Sequence, residues 1–381
     1  MTVNNFFTIL PFAYYIIFTG LHITLMLGII LESIREKKAL KNVGAELPIV
    51  SIIIPAHNES HRINGLLKSL EAQDYPNAEY IFIDDRSQDG SAEIISSFIK
   101  RNTHLSARQI SLVENPGPNF KQYALTRGIE IAAGEFFLFT DADCILPPQW
   151  VRGMVARMSD KNTGLIIGPV LKQPGGKGFF HLYQCFEHGI RYIYLAGSNG
   201  LGAAGGGFGN NLIVSRACLD AVGGYENIPP SPTEDAALIS KIRACTKYKI
   251  RTALGRDVHV ITLGENSWKT LINQTLRWNN GGIFSPDSVT RFNYNFLMIT
   301  IGMGVISTLL LPLFPSLWPL PAGVVISMIF NTIANLSLFH LSLPTAKFGY
   351  ALTLFFTPVY FTLLTIMGYL GIKPKWKGKE V

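Results

Sequence analysis

Two aspartates, Asp141 and Asp143, follow directly after the mostly apolar run Phe136 to Thr140. In an extended chain, residues two positions apart point to the same side, so both carboxylates can share one divalent cation or reach it through water. Hard oxygen ligands favour Mg²⁺ or Mn²⁺. Carboxylates at the end of an apolar strand need a compensating partner for the hydration they lose. We therefore predict a divalent metal site at Asp141 and Asp143.

A second acidic pair, Glu234 and Asp235, opens the helical pattern Ala236 to Arg243. Acidic residues in a first helical turn are commonly explained by the helix dipole, which they complement. Beside a metal and nucleotide site, a carboxylate is also what removal of a hydroxyl proton requires. Asp235, with Glu234 next to it, is thus a candidate general base, and the dipole explanation stays open.

Two polar turns follow apolar runs earlier in the chain. The first contains Pro55, His57 and Glu59, and the second begins with Asp84 and Asp85. A polar turn between a strand and a helix leaves side chains and backbone N–H groups available to a small ligand. A carboxylate there could accept hydrogen bonds from a base or a ribose hydroxyl. The alternatives are a helix cap for the first turn and a solvated acidic turn for the second.

A further polar group, Gln274, Arg277 and Trp278, lies in the amphipathic stretch Ser267 to Asn280. Arginine and tryptophan can bind a diphosphate or stack on a sugar or base. An indole also settles at a membrane interface, so interfacial packing is an equally direct explanation.

The elements that must position these residues alternate between short apolar runs and amphipathic stretches. The expected strands are Ile49 to Ile54, Tyr80 to Ile83 and Phe136 to Thr140, and the expected helices are Ile63 to Ala72 and Ala92 to Lys100. This alternation predicts an α/β fold with a doubly wound, mostly parallel sheet. Ligands of such sheets bind at the carboxyl ends of the strands, where the acidic residues lie.

Composition places part of the 381-residue chain in lipid. Only 15% of its residues are charged, against about 25% in ordinary soluble proteins. The formal net charge is +7, and many basic residues lie beside apolar stretches. That pattern favours anionic lipid headgroups over nucleic acid as the partner. The four cysteines lie far apart without a CxxC pair, so neither a zinc site nor a disulfide framework is indicated and a reducing setting fits.

The first membrane segment is expected over Phe6 to Leu31, since about 20 apolar residues span a bilayer as a helix. A cleaved signal peptide is less well supported, because the run is long and no basic residue precedes it. Basic residues from Arg35 to Lys41 follow it and stay on the cytoplasmic side. We therefore expect an integral protein of a bacterial plasma membrane with its catalytic domain in the cytoplasm.

Three further spans are expected near Phe296 to Phe314, Ala322 to Leu343 and Tyr350 to Ile372. Four crossings in all would put the basic tail after Ile372 outside, against the positive-inside pattern. The predicted organisation is an anchor over 1–33, a catalytic domain over 44–290 with an interfacial helix near 267–282, and membrane helices over 296–373.

Taken in order, five motifs resemble those of the family 2 glycosyltransferases of GT-A fold. They are Pro55-Ala56-His57-Asn58-Glu59, Asp84-Asp85 with Ser87 and Asp89, Asp141-x-Asp143, Thr233-Glu234-Asp235, and Gln274-x-x-Arg277-Trp278. The segment Asn119 to Leu125, which contains Lys121, is also similar, although Phe120 replaces the family's usual glycine before the lysine. The resemblance covers about Pro48 to Gly282.

The resemblance implies a role for each matching position. Pro55, His57, Glu59, Asp84 and Asp85 would bind the donor near its base and ribose. Lys121 would lie near the nucleotide, Asp141 and Asp143 at the diphosphate and metal, and Asp235 at the acceptor hydroxyl. Gln274, Arg277 and Trp278 would close over the diphosphate or the acceptor channel. The implied reaction is inverting transfer from a nucleotide-sugar, with UDP as the family-level expectation, to a lipid or membrane-associated acceptor.

Three alternatives remain at this point. A processive polysaccharide synthase would use the same motifs, although a short chain with few spans leaves less room for a polymer channel. A catalytically inactive nucleotide-binding scaffold would not need Asp235. Transfer of a phosphosugar to a lipid phosphate would not need a base either, because that acceptor is already ionised.

Overall fold

The structure is a computed structural model, and it describes residues 3–42, 44, 47–116, 120–176, 178–229, 231, 233–339, 346–376 and 379–380. The end of the predicted span Ala322 to Leu343, from residue 340, and Lys377 of the basic tail lie outside the described residues. The chain divides into two compact units. The α/β unit comprises Ile30–Gln173 and Ala204–Leu263, and the helical unit comprises Met1–Ile29, Pro174–Ala203 and Gly264–Val381.

The strands, in chain order, are β1 (Val50–Ala56), β2 (Ala78–Asp84), β3 (Ser106–Ser111), β4 (Phe136–Phe139), β5 (Cys144–Ile145), β6 (Thr163–Ile167), β7 (Val170–Gln173), β8 (Leu212–Ser215), β9 (Lys249–Thr252), β10 (Val260–Leu263), β11 (Lys375–Trp376) and β12 (Lys379–Glu380).

The helices are α1 (Val3–Lys41), α2 (Asn64–Glu71), α3 (Ser91–Arg101), α4 (Phe120–Glu130), α5 (Trp150–Arg157), α6 (Phe179–Gly200), α7 (Arg216–Ala221), α8 (Glu234–Cys245), α9 (Trp268–Ile283), α10 (Ser288–Leu310), α11 (Pro319–Phe339) and α12 (Ala346–Tyr369), with short 3₁₀ turns at Arg256–Val258 and Pro315–Leu317.

The described part of the α/β unit contains a seven-stranded sheet in the order β3-β2-β1-β4-β8-β6-β9. β8 runs antiparallel to both of its neighbours, β4 and β6, and the other pairs are parallel. Ile53 pairs with Ile81 on one side and Phe139 on the other. The carboxyl ends of β1, β2 and β4 therefore meet at one edge of the sheet, and the predicted mostly parallel α/β fold is confirmed.

The central strands are apolar on both faces because helices cover the sheet. Ile52, Ile54, Phe82 and Leu138 are fully buried. A smaller sheet of order β5-β10-β7 adjoins β4, since β5 begins one residue after Asp143. Thr262 of β10 pairs with Cys144 of β5. This pairing brings β10, the last strand of the α/β unit, next to the two aspartates.

The helical unit consists of the first part of α1, the whole of α6 and the helices from α9 onward. Its core includes Phe18, Phe186, Ile301 and Leu364. In the described residues, three segments are long and apolar enough to cross a membrane: Ile9–Lys41, Ser288–Leu310 and Pro315–Leu338. A shorter apolar helix covers Phe355–Tyr369. The boundaries proposed for the functional domains stay a prediction.

Candidate active site

The two loops that follow β1 and β2 are joined by hydrogen bonds at the edge of the sheet. The N–H of Asn58 donates to Oγ of Ser87 at 3.0 Å, and the N–H of Gln88 donates back to Oδ1 of Asn58 at 2.9 Å. The N–H of Glu59 donates to Oγ of Ser91 at 2.8 Å. Asn58 therefore ties the two loops together, and α2 begins later, at Asn64, with no side-chain cap.

Both loops contain a residue in the left-handed backbone region. Asn58 has φ 56° and Arg86 has φ 60°. Arginine rarely adopts this conformation, and residues held in it cluster at functional sites because the surrounding structure must enforce the strain. His57 contributes to the same network through a hydrogen bond between Nδ1 and the carbonyl oxygen of Asp85.

The carboxylates after β2 differ in their partners. Asp85 accepts hydrogen bonds from Nδ2 of Asn115 at 3.0 Å and from Nε of Arg86 at 2.8 Å. Asp84 is only 4% exposed, and its Oδ1 has no hydrogen-bond partner among the described residues. Leaving a buried carboxylate oxygen without a donor is costly. Asp84 is thus suited to accept a hydrogen bond from a ligand, in line with its predicted position at the donor.

Lys121, on α4, brings the two acidic motifs together. Its Nζ lies 2.7 Å from Oδ1 of Asp141 and 3.4 Å from Oε1 of Glu234. Burial alone would lower the pKa of this ammonium group, but the carboxylates of Asp141 and Glu234 outweigh burial and raise it. Lys121 therefore stays protonated and holds the end of β4 against the start of α8.

Asp143 is held by Thr262 on the other side. Oγ1 of Thr262 donates to Oδ2 of Asp143 at 3.1 Å, and Nη1 of Arg62 lies 4.0 Å from the same oxygen. Burial and the neighbouring carboxylate of Asp141 raise the pKa of Asp143. The ionised form thus has less positive charge around it than it needs. A divalent cation at the two carboxylates would supply that charge.

The donor set fits such a cation, because two hard carboxylates are what Mg²⁺ and Mn²⁺ take from a protein when substrate phosphates complete the shell. The described residues contain no group of three or more histidine, cysteine or acidic side chains placed to enclose a metal. Metal binding at Asp141 and Asp143 stays a prediction that depends on the substrate.

Asp235 lies in the first turn of α8, and both of its carboxylate oxygens accept hydrogen bonds. Its Oδ2 accepts a hydrogen bond from the N–H of Gly209 at 2.8 Å, and Oδ1 accepts one from the N–H of Ala236 at 2.8 Å. Burial, followed by repulsion from Glu234, raises the pKa of Asp235 to about 6. A carboxylate with that pKa is ionised at neutral pH and is a stronger base than an ordinary aspartate.

The glycine-rich segment before β8 permits this arrangement. A Cβ atom on Gly209 would lie 3.2 Å from Cβ of Asp235, and one on Gly207 would lie 2.4 Å from Cδ1 of Ile239. The chain therefore approaches α8 closely, which the missing side chains of these glycines permit.

Gln274, Arg277 and Trp278 lie on α9, which belongs to the helical unit. The Trp278 ring centre is 5.6 Å from that of His188, and the guanidinium carbon of Arg191 lies 5.3 Å from the Trp278 centre. Within this unit the tryptophan thus packs against α6. The predicted contact of these three residues with the donor stays a prediction.

Sequence reasoning did not identify Thr262. A threonine in a short strand more than one hundred residues after Asp143 carries no local signal of its role, and the β5–β10 pairing alone brings it to the carboxylate. Asn115, which donates a hydrogen bond to Asp85, was also missed, because an asparagine 30 residues after Asp85 carries no local signal of this contact.

The sequence model of one protein family, described as glycosyl transferase family 2, matches residues 51–222. The chain carries a family 2 glycosyltransferase domain. The match includes the loops after β1 and β2, Lys121 and both aspartates after β4, and it ends before Glu234 and Asp235.

Two curated relatives agree with this assignment of the family 2 domain. Glycosyltransferase AglE of Haloferax volcanii is 32% identical over 145 residues, which cover 37% of this chain and 46% of AglE. Beta-monoglucosyldiacylglycerol synthase of Nostoc sp. is 25% identical over 305 residues, covering 77% of this chain and 62% of the synthase. The chain thus spans about half of the first relative and less than two thirds of the second.

The structure of mannosyltransferase PcManGT from Pyrobaculum calidifontis, in complex with GDP-Man and Mn²⁺, superposes with a TM-score of 0.56 at 19% identity. The superposition covers 95% of this chain and 99% of PcManGT. At this identity the likeness concerns the fold, and the predicted GT-A class of the family 2 domain is confirmed.

Proposed function

We propose that the chain is an inverting glycosyltransferase that moves a sugar from a nucleoside diphosphate sugar to a hydroxyl group of a membrane lipid. The observation that carries this proposal is the bridge made by Lys121 between Asp141 and Glu234. It joins the predicted diphosphate site to the predicted base in one cluster.

The donor would bind across the carboxyl ends of β1, β2 and β4. Asp84 would accept a hydrogen bond from the nucleoside through its unpartnered Oδ1. The loop of His57 and Glu59 is already fixed by its bonds to the next loop, so binding needs little further ordering. Two nucleotides are candidates for the donor, because UDP is the expectation from the family and PcManGT was solved with GDP-Man.

Asp141 and Asp143 would hold a divalent cation, which would supply Lewis-acid stabilisation of the leaving diphosphate. Lys121 holds the Asp141 carboxylate in place through its ion pair, and Thr262 holds that of Asp143 through its hydrogen bond. These contacts position the two carboxylates before the donor arrives, and such preorganisation is a major part of catalysis.

Asp235 would act as the general base. An acceptor hydroxyl oxygen would attack the anomeric carbon while its proton passes to the Asp235 carboxylate. The bond from that carbon to the diphosphate oxygen would break, and the electron pair would leave with the nucleoside diphosphate. Attack on the face opposite the leaving group inverts the anomeric centre.

A lipid acceptor is supported by two observations. Three described segments are apolar enough to cross a membrane, so lipids would lie close to a domain anchored in this way. The relative from Nostoc sp. that matches 77% of this chain is named as a synthase of a glucosyldiacylglycerol. We propose further that the catalytic domain of the anchored protein lies in the cytoplasm, because Arg35, Lys37 and Lys38 follow the apolar part of α1.

The test uses the full-length protein in lipid nanodiscs with Mg²⁺ or Mn²⁺, a panel of labelled UDP- and GDP-sugars, and lipid extract as acceptor. We expect label from one sugar to enter the organic phase as a single-sugar product. Long products would instead indicate a processive synthase. No transfer with any donor would contradict the proposed activity and favour a nucleotide-binding scaffold.

Asp235→Asn addresses the base directly. We expect transfer to fall by about 10²–10⁴-fold, the usual contribution of general base catalysis, while donor binding changes little. Asp220→Asn, at an exposed carboxylate on α7, is the matched control and should retain the parent rate. Parent-like transfer by Asp235→Asn would show that Asp235 is not the base, and would favour an acceptor that is already ionised, such as a lipid phosphate.

A further inference from the structure

A cavity of about 480 Å³ lies in the α/β unit beside the last turns of α1. Its walls come from α1, from the end of α5 and the residues that follow it, from β6, and from β9. Five basic side chains line it: Arg35, Lys38, Arg157, Lys249 and Arg251. Three acidic side chains, Glu32, Glu36 and Asp160, also line it, which leaves an excess of two positive charges. None of these residues belongs to the candidate active site.

The acidic side chains of the cavity are mostly occupied in fixing α1 to the sheet. Oε2 of Glu32, which is 1% exposed, accepts from the N–H of Thr252 at 2.9 Å. Oε1 of Glu36 accepts from the N–H groups of Leu254 and Gly255 at 2.9 and 3.0 Å, and from Nε of Arg157 at 2.6 Å. Much of their negative charge is therefore used by backbone donors and by a buried arginine.

The other basic side chains of the cavity share a carboxylate, form a half-exposed ion pair or are exposed. Arg251 lies 3.7 Å from Glu32, which also pairs with Arg35 at 2.7 Å, so two guanidinium groups share one carboxylate. Burial lowers the pKa of Arg251, and the charge of Arg35 lowers it further, while Glu32 offsets these effects in part. Lys38 is exposed, and Lys249 pairs with Asp160 at 3.2 Å with both side chains 45% exposed. An anion in the cavity would meet several cations at once.

The position along α1 relates the cavity to a membrane surface. Exposed apolar side chains continue down this helix to Ile30 and Ile34, which are 54% and 59% exposed. The basic residues Arg35, Lys37 and Lys38 follow immediately. With a rise of 1.5 Å per residue, Lys38 lies about 6 Å beyond Ile34 along the axis, and a headgroup layer is roughly 5–8 Å thick. The cavity thus lies at the level of the headgroups if α1 spans the bilayer.

We propose that this cavity binds the phosphate group of an anionic phospholipid, with Lys38, Lys249 and Arg251 as its cationic contacts. Its volume falls within the range of about 300–1,000 Å³ that is typical of small-molecule sites. Bound there, a headgroup would neutralise the excess charge between α1 and the β6–β9 edge of the sheet. The proposal does not depend on which reaction the active site performs.

The test measures equilibrium binding of labelled dioctanoyl phosphatidylglycerol and dioctanoyl phosphatidylcholine to the immobilised full-length protein in neutral detergent. We expect phosphatidylglycerol to bind at least about tenfold more tightly. Removing two cations with Lys38→Gln and Lys249→Gln should weaken it by about 25-fold, from roughly fivefold for each cation. Binding of phosphatidylcholine should not change.

The matched control is Lys100→Gln with Arg101→Gln, which removes two exposed cations from α3. This pair should bind phosphatidylglycerol within about twofold of the parent, because salt screens exposed charges that lie more than about 10 Å from the bound headgroup. Lys38→Glu alone, at an exposed helical position, provides a second variant with little risk to folding. Unfolding temperatures without lipid check that all variants are folded.

Inorganic phosphate, added as a competitor, distinguishes the two sources of the anion. If inorganic phosphate displaces phosphatidylglycerol at a concentration similar to that of the lipid, the cavity is a site for soluble phosphate and the lipid assignment is wrong. If the two lipids bind equally, or if the control pair loses as much binding as the cavity pair, the cavity is not an anion site.

Discussion

At the scale of single residues, the candidate site depends on how each carboxylate is compensated. Asp141 has the ammonium group of Lys121, whereas Asp143 has the neutral hydroxyl of Thr262 and a more distant arginine. Asp235 accepts hydrogen bonds from two backbone N–H groups but has Glu234 beside it. These differences support the different tasks that we propose for aspartates that look equivalent in the sequence.

The pKa of Asp235, raised to about 6 by burial and then by Glu234, predicts the pH dependence of transfer. The base must be ionised to accept a proton, so kcat/KM should fall about tenfold per pH unit below 6 and level off above it. Glu234→Gln removes the neighbouring carboxylate and should move the midpoint down. Rates measured from pH 4.5 to 8 provide the check, and a midpoint near 4 in the parent would contradict the role.

Thr262 predicts a change in metal dependence. Thr262→Val keeps the shape of the side chain but removes the hydrogen bond to Asp143. Loss of a contact that orients a ligand typically lowers metal affinity by about 10–100-fold. We expect the Mn²⁺ concentration for half-maximal transfer to rise by that factor, with maximal rate less affected. Thr262→Ser retains the hydroxyl and should behave like the parent, and equal behaviour of both variants would exclude this role.

At the scale of elements, α1 and α6 approach each other through glycines in the helical unit. A Cβ atom on Gly197 would lie 2.7 Å from the carbonyl oxygen of Leu25, and one on Gly28 would lie 2.0 Å from the carbonyl oxygen of Gly197. Backbone atoms cannot move aside as flexible side chains do. Small residues of this kind permit close helix packing in membranes.

Gly197→Ala should therefore destabilise the protein. The added methyl group would have to push the two helices apart, and overpacking of this kind costs about 1–3 kcal/mol. Gly20→Ala, where a Cβ atom meets nothing within 4 Å, is the control and should leave stability unchanged or slightly raised. Thermal unfolding in detergent compares the two variants. Equal unfolding temperatures would mean that the close approach is not maintained.

At the scale of the whole molecule, the question is which segments cross the membrane. Ile9–Lys41 and Ser288–Leu310 are two of the candidate spans, and most of the α/β unit lies between them in the chain. If both cross, Ser316, after α10, lies on the side of the membrane opposite Lys37. In the orientation that we propose, the positive residues after Ile34 lie in the cytoplasm, and Lys37 lies there with them.

Labelling of cysteines by a membrane-impermeant maleimide tests this arrangement in intact cells. Ser316→Cys should react without permeabilisation, whereas Lys37→Cys should react only after it. The natural Cys245 is exposed on the α/β unit and serves as an internal cytoplasmic reporter. Reaction of Cys245 in intact cells would place the catalytic domain outside and overturn the proposed orientation.

The sequence by itself determined the α/β alternation, the sheet strands that end in aspartates and the apolar helices. These features depend on local patterns: a run of buried side chains, a period of 3.6, or a stretch long enough to span lipid. The sequence also showed the family resemblance, because the motifs up to Asp143 lie in order within residues 51–222, which match the family model.

Only the tertiary structure decided which distant residues meet. Thr262 reaches Asp143 because β10 pairs with β5, and Lys121 reaches Glu234 because α4 and α8 approach the same edge of the sheet. No local pattern indicated that residues 174–203, within the predicted catalytic domain, pack with the candidate membrane helices. Such contacts depend on strand order and helix packing, which local periodicity does not encode.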